Sequence, residues 1–157
     1  MRKEAIRAPQ ALNEAYHYPR PSAFSRGIRV DIKGITFLFI SGTASVNESG
    51  ESIHVGDLPA QTRRTLENIT ALLKSEGADW HDVVRTTCYL KNMERDYSAF
   101  NEVRTQFYTE LELNPLPAST CVEAGLCREE LLVEIEAIAV MDADRKSGVE
   151  KNRKARK

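Results

Sequence analysis

The segment LLVEIEAIAV, residues 131–140, alternates as a β-strand and carries two carboxylates among its apolar side chains. In an extended chain Val133 and Ile135 point to one face, and Glu134 and Glu136 point to the other. A carboxylate on such a face can line a half-buried cleft and orient or deprotonate a water molecule. It can equally pair with Lys or Arg across an interface. The pattern leaves both interpretations open and makes Glu134 a candidate catalytic residue.

The segment NPLPASTCVE, residues 114–123, stiffens the chain shortly before that strand. Pro115 and Pro117 fix two φ angles and remove two backbone donors, so the residues that follow are held in one geometry. We expect the strand STCVEAG to pair with the last strand as a hairpin, with its first residues opposite Glu134. The alternative is a turn that only ends the preceding helix. Three residues of this strand are therefore candidate ligand contacts: Ser119, Thr120 and Cys121.

The earlier elements are predicted from similar patterns. Residues 1–22 show no sustained period and are interpreted as a surface lead-in. RGIRVDIK alternates apolar and charged residues as a half-buried strand, and GITFLFISG follows as a second, more buried one. Asp57 and Pro59 indicate the start of a helix that runs to Gly77. DVVRTTCYLKN alternates as a strand, and apolar residues three or four apart then indicate a helix that stops before Pro115.

The predicted order is strand, strand, helix, strand, helix, strand, strand. This order indicates an α+β domain with both helices packed on one face of a mixed sheet. We assign residues 23–142 to the domain and residues 143–157 to a basic tail. A single layer of helices leaves the other face of the sheet bare, so we expect further copies of the chain to cover it.

The composition is that of one compact domain, with 157 residues of which 41% are hydrophobic and 29% charged. No window approaches the roughly 18 uncharged apolar residues of a membrane span, and the start lacks the apolar core of a secretory signal. We expect a cytoplasmic protein with no membrane partner. Three cysteines without a C-x-x-C pair favour reduced thiols, and the three histidines lack metal-ligand spacing, so no metal site is predicted.

The charge is distributed unevenly along the chain. Residues 145–157 hold seven of the 22 Lys and Arg residues against one acid, although the whole chain has a net charge of -1. Such clusters bind nucleic acid by releasing counterions from phosphates. This one has no aromatic residue to stack on bases, and it follows the last apolar strand, where chains usually fray. We interpret it as a solvated terminus and expect no nucleic-acid partner.

Three blocks read together resemble the RidA family, also called YjgF/YER057c/UK114, of reactive intermediate imine deaminases. They are SGTASVN, the stretch from QTRRTLENI to RTQFY, and PLPASTCVEAGLCREELLVEIEAIAV, within a match from about Ala23 to Met141. The closing block, in which a proline-alanine pair precedes a strand and then VEIEAIA, is the most specific. The resemblance implies a sheet with two helices on one face, three subunits in a ring, and sites in the clefts between subunits.

The resemblance also implies a chemistry. Deaminating members hydrolyse enamine and imine products of pyridoxal-phosphate enzymes, such as 2-aminoacrylate, to a keto acid and ammonia, without a metal or organic cofactor. In them the first glutamate of VEIE, here Glu134, positions the attacking water. Carried over by motif, the other positions that line the site are Cys121 through its backbone, Asn101, Ser41, Gly42 and Phe24, the last a tyrosine in many members.

One position departs from the family pattern. After the proline-alanine pair, deaminating members have an arginine that grips the substrate carboxylate, and this chain has Ser119. Serine cannot form the two-pronged charged bond, and losing one partner of such a buried pair costs about 2–5 kcal/mol. Ser119 therefore argues against ordinary 2-imino acid deaminase activity. Four arginines remain as candidates for a clamp from another direction: Arg26, Arg29, Arg104 and Arg128.

A second, narrower resemblance runs from SGTAS through HVGD to ENI. This stretch is similar to the C-terminal part of chorismatases, which hydrolyse the enolpyruvyl ether of chorismate and carry a further RidA-like half that this chain lacks. It implies an enol ether or related small acid as ligand, with His54 and Asp57 as pocket-loop residues. Loop stabilisation and helix capping are the alternative roles of these two side chains.

Three functions from different classes follow. The first is a hydrolase of a small enamine, imine or enol-type metabolite with Glu134 as the water-orienting base. The second is a non-catalytic trimeric protein that binds a small ligand in the same clefts. The third is RNA binding or cleavage, for which the basic tail is the only support in the sequence.

Overall fold

The computed structural model describes residues 1–18 and 21–143. In this part of the chain six strands form one mixed sheet: β1 (Arg2–Ala5), β2 (Gly27–Ile32), β3 (Ile35–Ala44), β4 (Val83–Leu90), β5 (Ala118–Glu123) and β6 (Val133–Asp142). The two α-helices are α1 (Leu58–Ser75) and α2 (Met93–Glu110). The strand order is β1-β2-β3-β6-β4-β5, and α1 packs on β3, β6 and α2. The predicted α+β fold class is confirmed.

Helix α1 begins and ends as the sequence predicts. The Asp57 side chain accepts a hydrogen bond from the Ala60 amide at 2.9 Å, which satisfies one of the free donors of the first turn. Gly77 adopts a φ of 77° just beyond the end of the helix, a conformation that glycine reaches without strain. Leu66 and Ile69 of α1 are fully buried, so the predicted apolar face does pack on the sheet.

The first residues of the chain differ from the prediction of a surface lead-in. Strand β1 pairs antiparallel with β2, and Ile6 and Leu12 are 0% exposed within the core. The Ile6 amide also donates to the Gly27 carbonyl at 2.9 Å. A strand of four residues followed by single apolar side chains in turns has no period to detect, so the sequence pattern missed this contribution to the core.

The predicted hairpin between the last two strands is wrong. Strand β5 pairs in parallel with β4, and β4 separates it from β6. Parallel pairing is typical of a strand-helix-strand unit, which β4, α2 and β5 form here. The nine residues between β5 and β6 also exceed the short loops that favour a hairpin.

The two faces of the sheet have unexpected compositions at β2. Arg29, only 6% exposed, lies on the helix-covered side, where its register partner on β3 is the buried Leu38. The apolar side chains of β2 lie on the other side, and Phe39 of β3 is 44% exposed there. Within this chain the outer face therefore exposes apolar surface, as predicted for a sheet with one layer of helices.

Two further predictions concern the basic tail and the absence of a membrane span. The basic tail predicted for residues 143–157 lies outside the described residues except for Ala143. Neither helix in the described ranges is long and apolar enough to cross a membrane.

Candidate functional site

A wide cleft of about 1130 Å³ opens at the irregular end of β3. The loop around residues 49–52 and the segment 127–131 form two of its walls. Seven lining residues are used below: Tyr18, Phe24, Arg26, Ser41, Gly42, Arg128 and Glu134. The cleft therefore brings together four of the site residues predicted from the sequence, which are Phe24, Ser41, Gly42 and Glu134.

Gly42 and Glu134 are in close contact in this cleft. The register between β3 and β6 shifts between Ile40 and Thr43, and Gly42 lies in this irregularity. A Cβ atom at Gly42 would lie 2.0 Å from Oε1 of Glu134, far inside contact distance. Only glycine leaves room for the carboxylate in this position, which gives a physical reason for the serine-glycine pair after the buried strand.

The carboxylate of Glu134 is half-buried and has no hydrogen bond or ion pair within the described residues. Burial raises the pKa of Glu134 above its ordinary value, and the charge of Glu136 on the same face adds to the effect. A carboxyl group with a raised pKa and free oxygens can both accept a proton from water and return it.

Ser41 and Phe24 take different roles in the same wall. The Ser41 hydroxyl donates to the Ser25 carbonyl at 2.7 Å, and its amide donates to the Arg26 carbonyl at 3.1 Å. These bonds attach the end of β3 to the segment that precedes β2. Phe24 is 41% exposed, and its ring lies 5.4 Å from the guanidinium carbon of Arg26. Phe24 is thus available to contact a ligand, whereas the Ser41 hydroxyl is already engaged.

A second group of predicted site residues lies at the β5 edge of the sheet. Arg104 of α2 donates through Nη1 to the Ser119 hydroxyl at 3.1 Å and through Nη2 to Oδ1 of Asn101 at 2.6 Å. Ser119 also accepts a bond from the Thr86 hydroxyl at 3.1 Å. Cys121 is half-buried two residues farther along the strand. The guanidinium of Arg104 therefore lies at the residue where an arginine was expected from the family resemblance.

The two groups do not meet within one chain. Ser119 faces the helix-covered side with Thr86, whereas Glu134 lies on the opposite side of the sheet, paired across from Tyr89. Thr120 shares the outer side, where its hydroxyl accepts a bond from Arg85 at 3.1 Å, but β4 lies between β5 and β6. The expectation that these residues stand opposite Glu134 in a hairpin is therefore wrong for a single chain.

The four candidate arginines differ in the partners that the structure gives them. Arg29 is buried on the helix-covered side and ion-paired with Asp31 at 2.9 Å and Glu76 at 3.2 Å. Arg128 lines the cleft but donates to the Gly50 carbonyl at 2.7 Å and the Ser52 hydroxyl at 3.1 Å.

Arg26 and Arg104, unlike Arg29, form no ion pair in the parts of the chain that are described. They remain the candidates for holding an anionic ligand, one in each group of site residues.

His54 and Asp57 do not line the cleft. Asp57 caps α1, and the His54 carbonyl accepts a bond from the Gln61 side chain at 3.2 Å. Sequence reasoning missed Tyr18, which lines the cleft from the segment that was interpreted as a surface lead-in. Across residues 1–18 and 21–143, no three His, Cys, Asp or Glu side chains are grouped so that they could hold a metal ion.

Comparison with known families and proteins gives matches over most of the chain. The family described as Endoribonuclease L-PSP matches residues 19–141. A RutC family protein of Pyrococcus horikoshii is 40% identical over 108 residues, which cover 69% of this chain and 82% of the relative. A protein of Acinetobacter baylyi named 3-aminoacrylate deaminase RutC is 34% identical over 107 residues, covering 68% and 81%.

Solved structures share the fold. The YjgF gene product of E. coli superposes with a TM-score of 0.66 at 29% identity, covering 87% of this chain and 98% of that one. E. coli TdcF with bound serine gives a TM-score of 0.66 at 28% identity, covering 83% and 98%.

Proposed function

The chain belongs to the RidA (YjgF/YER057c/UK114) family, and on that premise we propose that it is a cytoplasmic hydrolase of a small, reactive enamine, imine or enol-type acid. The matching family is the one described as Endoribonuclease L-PSP. The observation that carries the proposal is the half-buried Glu134 carboxylate, unpaired and with a raised pKa, in a cleft with Phe24 and Gly42. The relative named 3-aminoacrylate deaminase supports an enamine substrate, and the serine bound to TdcF supports a small amino-acid-like ligand.

The proposed reaction consumes one water and releases one keto acid and one ammonia. A proton from solvent adds to the enamine carbon and gives an iminium ion. Water then adds to the iminium carbon while the Glu134 carboxylate takes one of its protons. The Glu134 carboxyl returns this proton to the nitrogen, the C–N bond breaks, and ammonia leaves as the hydroxyl loses its proton to solvent, which replaces the proton used in the first step and gives the keto group. A carboxyl with a raised pKa suits both transfers because its carboxylate is a stronger base than an ordinary one and its acid form can still return the proton.

Cysteine chemistry is not part of this proposal. Burial raises the pKa of the Cys88 thiol, and burial likewise raises the pKa of Cys121. Raising the pKa disfavours the thiolate, which is the nucleophilic form. Cys121 would then contribute through its backbone, as the family resemblance implies, and Glu134 remains the residue that handles protons.

The complete site is proposed to form between subunits of a homotrimer. Within one chain Glu134 and Ser119 lie on opposite sides of the sheet, so a single copy cannot bring both to one ligand. The apolar outer face around Phe39 is the surface that would bury against another copy. In that assembly the Arg104 guanidinium, placed at Ser119 by a 3.1 Å hydrogen bond, would replace the missing arginine as the carboxylate clamp.

A second candidate function is ligand binding without turnover. Ser119 favours it, because the residue at this position carries no charge of its own to hold the substrate carboxylate. Such a protein would be stabilised by a small carboxylic acid through mass action but would release no product. An enol ether, as in the chorismatase resemblance, is the substrate to try if enamines are inert.

The test is release of ammonia and keto acid from freshly generated 2-aminoacrylate and its larger homologues. Turnover by the wild type that falls by about 100-fold or more in Glu134→Gln supports the proposal. Glu136→Gln is the matched control, because it removes a neighbouring carboxylate from the same face. Turnover should stay within about threefold, since burial, the larger cause, keeps the pKa of Glu134 raised without the Glu136 charge. Equal turnover in wild type and Glu134→Gln would exclude Glu134 as the base.

Ser119→Arg separates the two candidate functions. An inactive wild type with turnover gained in Ser119→Arg would favour ligand binding without turnover as the natural role. A wild type that is active and is not improved by Ser119→Arg would indicate that another arginine already holds the carboxylate.

A further inference from the structure

Arg26 is a buried cation that forms no ion pair in the described residues. The residue is 4% exposed, its Nε donates to the Asn13 carbonyl at 3.0 Å, and its buried Nη2 has no hydrogen-bond partner among the residues that the structure describes. No ion pair joins it to an acid in residues 1–18 or 21–143. A buried charge is costly unless it is paired, so a guanidinium left in this state has the capacity to bind an anion.

The groups around Arg26 compensate for its charge only in part. The rings of Tyr18 and Phe24 lie 4.7 Å and 5.4 Å from its guanidinium carbon, which stabilises a cation modestly. Burial lowers the pKa of Arg26, although the charge of Glu14 acts in the opposite direction and that of Arg128 adds to the lowering. Within the described residues, the hydroxyl of Tyr18 and both carboxylate oxygens of Glu14 are themselves buried without hydrogen-bond partners. The cluster therefore has unused donors on Arg26 and Tyr18 and unused acceptors on Glu14, and the charge of Glu14 offsets that of Arg26 only in part.

The cluster lies in the same cleft as Glu134. Arg26 and Tyr18 line the cleft together with Gly42 and Glu134. The Arg26 carbonyl accepts the Ser41 amide at 3.1 Å, and the next residue, Gly42, is in contact with the Glu134 carboxylate. The cleft volume of about 1130 Å³ slightly exceeds the usual range for small-molecule sites, so it has room for more than a three-carbon acid.

We propose that Arg26, with Tyr18, forms an anion subsite in the Glu134 cleft, and that the natural ligand is an acid with two carboxylates. This inference rests on the proposed function, in which the reacting carbon lies at Glu134 and the first carboxylate is held by Arg104. The second carboxylate accepts hydrogen bonds from the Arg26 guanidinium and the Tyr18 hydroxyl. The substrate class is then a dicarboxylic enamine, imine or enol acid, and its product a dicarboxylic 2-oxo acid.

Matched pairs of 2-oxo acids test the subsite by isothermal titration calorimetry. 2-Oxoglutarate is compared with 2-oxopentanoate, and 2-oxoadipate with 2-oxohexanoate, so that each pair differs in the second carboxylate at constant chain length. The wild type should bind at least one dicarboxylate about tenfold or more tightly than its partner, the effect of one charge-assisted pair. Arg26→Gln should remove this preference and leave monocarboxylate affinity within about twofold, and Arg26→Lys should restore part of it.

Several results would overturn the inference. Equal affinity within both pairs in the wild type, or no binding of either dicarboxylate, would exclude the subsite. A preference that survives in Arg26→Gln and disappears in Arg104→Gln would assign the second carboxylate to Arg104 instead. Unfolding midpoints of all variants show whether a lost preference reflects lost structure, and Arg26→Lys keeps the test open if Arg26→Gln does not fold. Failure of the proposed function is read separately, from turnover that does not respond to Glu134→Gln.

Discussion

Two buried arginines three residues apart, Arg26 and Arg29, have opposite surroundings. Arg29 is ion-paired with Asp31 and Glu76 and also donates to the Thr36 hydroxyl at 3.0 Å. Arg26 has one hydrogen bond, to a backbone carbonyl, and no acid within ion-pair distance in the described residues. The difference distinguishes a charge that holds the fold together from a charge that is available to a ligand.

The pKa values of the two groups reflect the same contrast. Burial alone would lower the pKa of Arg29, but the hydrogen bonds and charges of Asp31 and Glu76 outweigh it, and the pKa is raised. Burial lowers the pKa of Arg26 because the compensation there is weaker. The Arg29 network joins β2 to the residue that follows α1, whereas Arg26 lines the cleft.

The largest expected effect comes from removing the paired arginine. Arg29→Ala takes the cation away from two acids in the interior, and breaking a buried pair of this kind lowers the free energy of unfolding by about 3–5 kcal/mol. Urea denaturation measures the loss. Arg2→Ala is the matched control, because Arg2 pairs with Glu4 on the exposed edge strand and should contribute little. A loss no larger than that of the control would contradict the structural role of the Arg29 network.

The next largest effect is a loss of activity, expected when Gly42 in the cleft is replaced. Gly42→Ala places a Cβ where Oε1 of Glu134 now lies, so the carboxylate must move. A displacement of about 1 Å can reduce catalysis by about 100-fold, which is the loss of kcat/KM that we expect. Gly125→Ala is the control, since no atom lies within 4 Å of the added carbon and turnover should be unchanged. Full activity of Gly42→Ala would show that the position of Glu134 is not required.

A smaller effect, on the Tm, is expected when the pH is lowered. The hydrogen bond from Arg29 lowers the pKa of Asp31 below its usual value. A carboxyl whose pKa is lower in the folded state contributes stability above its unfolded pKa of about 3.9, and loses it as the pH falls through the folded pKa. The Tm of the wild type should therefore decline below about pH 4, and Asp31→Asn should show a shallower decline from a lower starting value. Parallel Tm profiles for the two proteins would show that Asp31 does not supply this dependence.

The smallest effect on stability is expected at the unpaired arginine. Arg26→Met keeps the aliphatic volume; it takes an opposite charge away from the buried Glu14 but relieves the desolvation cost of a cation that forms no ion pair in the described residues. The lost hydrogen bond to the Asn13 carbonyl acts in the opposite direction by about 1 kcal/mol. The free energy of unfolding should therefore stay within about 1 kcal/mol of the wild type. A loss as large as that of Arg29→Ala would place both arginines in the fold and remove the contrast.

Much of the fold could be predicted from periodicity and capping. The alternation around Glu134 identified a strand, and Asp57 identified the start of α1, because both signals are local along the chain. The contribution of Ile6 and Leu12 could not be predicted, since single apolar residues in turns carry no period. The pairing of β5 was also missed, because proximity in sequence favoured a hairpin and the parallel alternative depends on where α2 packs.

The candidate site could be predicted only in part from the sequence. Motif comparison identified Glu134 and Gly42, and the structure brings these two residues into contact. The hairpin prediction placed Ser119 opposite Glu134, but in one chain the sheet separates them. Tyr18 was not found, since an isolated aromatic residue in an irregular segment gives no signal of the cleft that it lines.

The sequence by itself determined the order of the elements from β2 to β6, the start of α1 and the presence of a carboxylate on one face of the last strand. Each of these depends on the spacing of neighbouring residues and on local hydrogen-bonding capacity. Only the tertiary structure decided which arginine is paired. Arg26 and Arg29 have the same chemistry and nearly the same place in the chain. One acid paired with Arg29, Asp31, lies two residues away on the same strand, but the other, Glu76 just after α1, is 47 residues away. Whether a buried charge finds such a partner depends on how distant segments pack, and local sequence does not encode that distance.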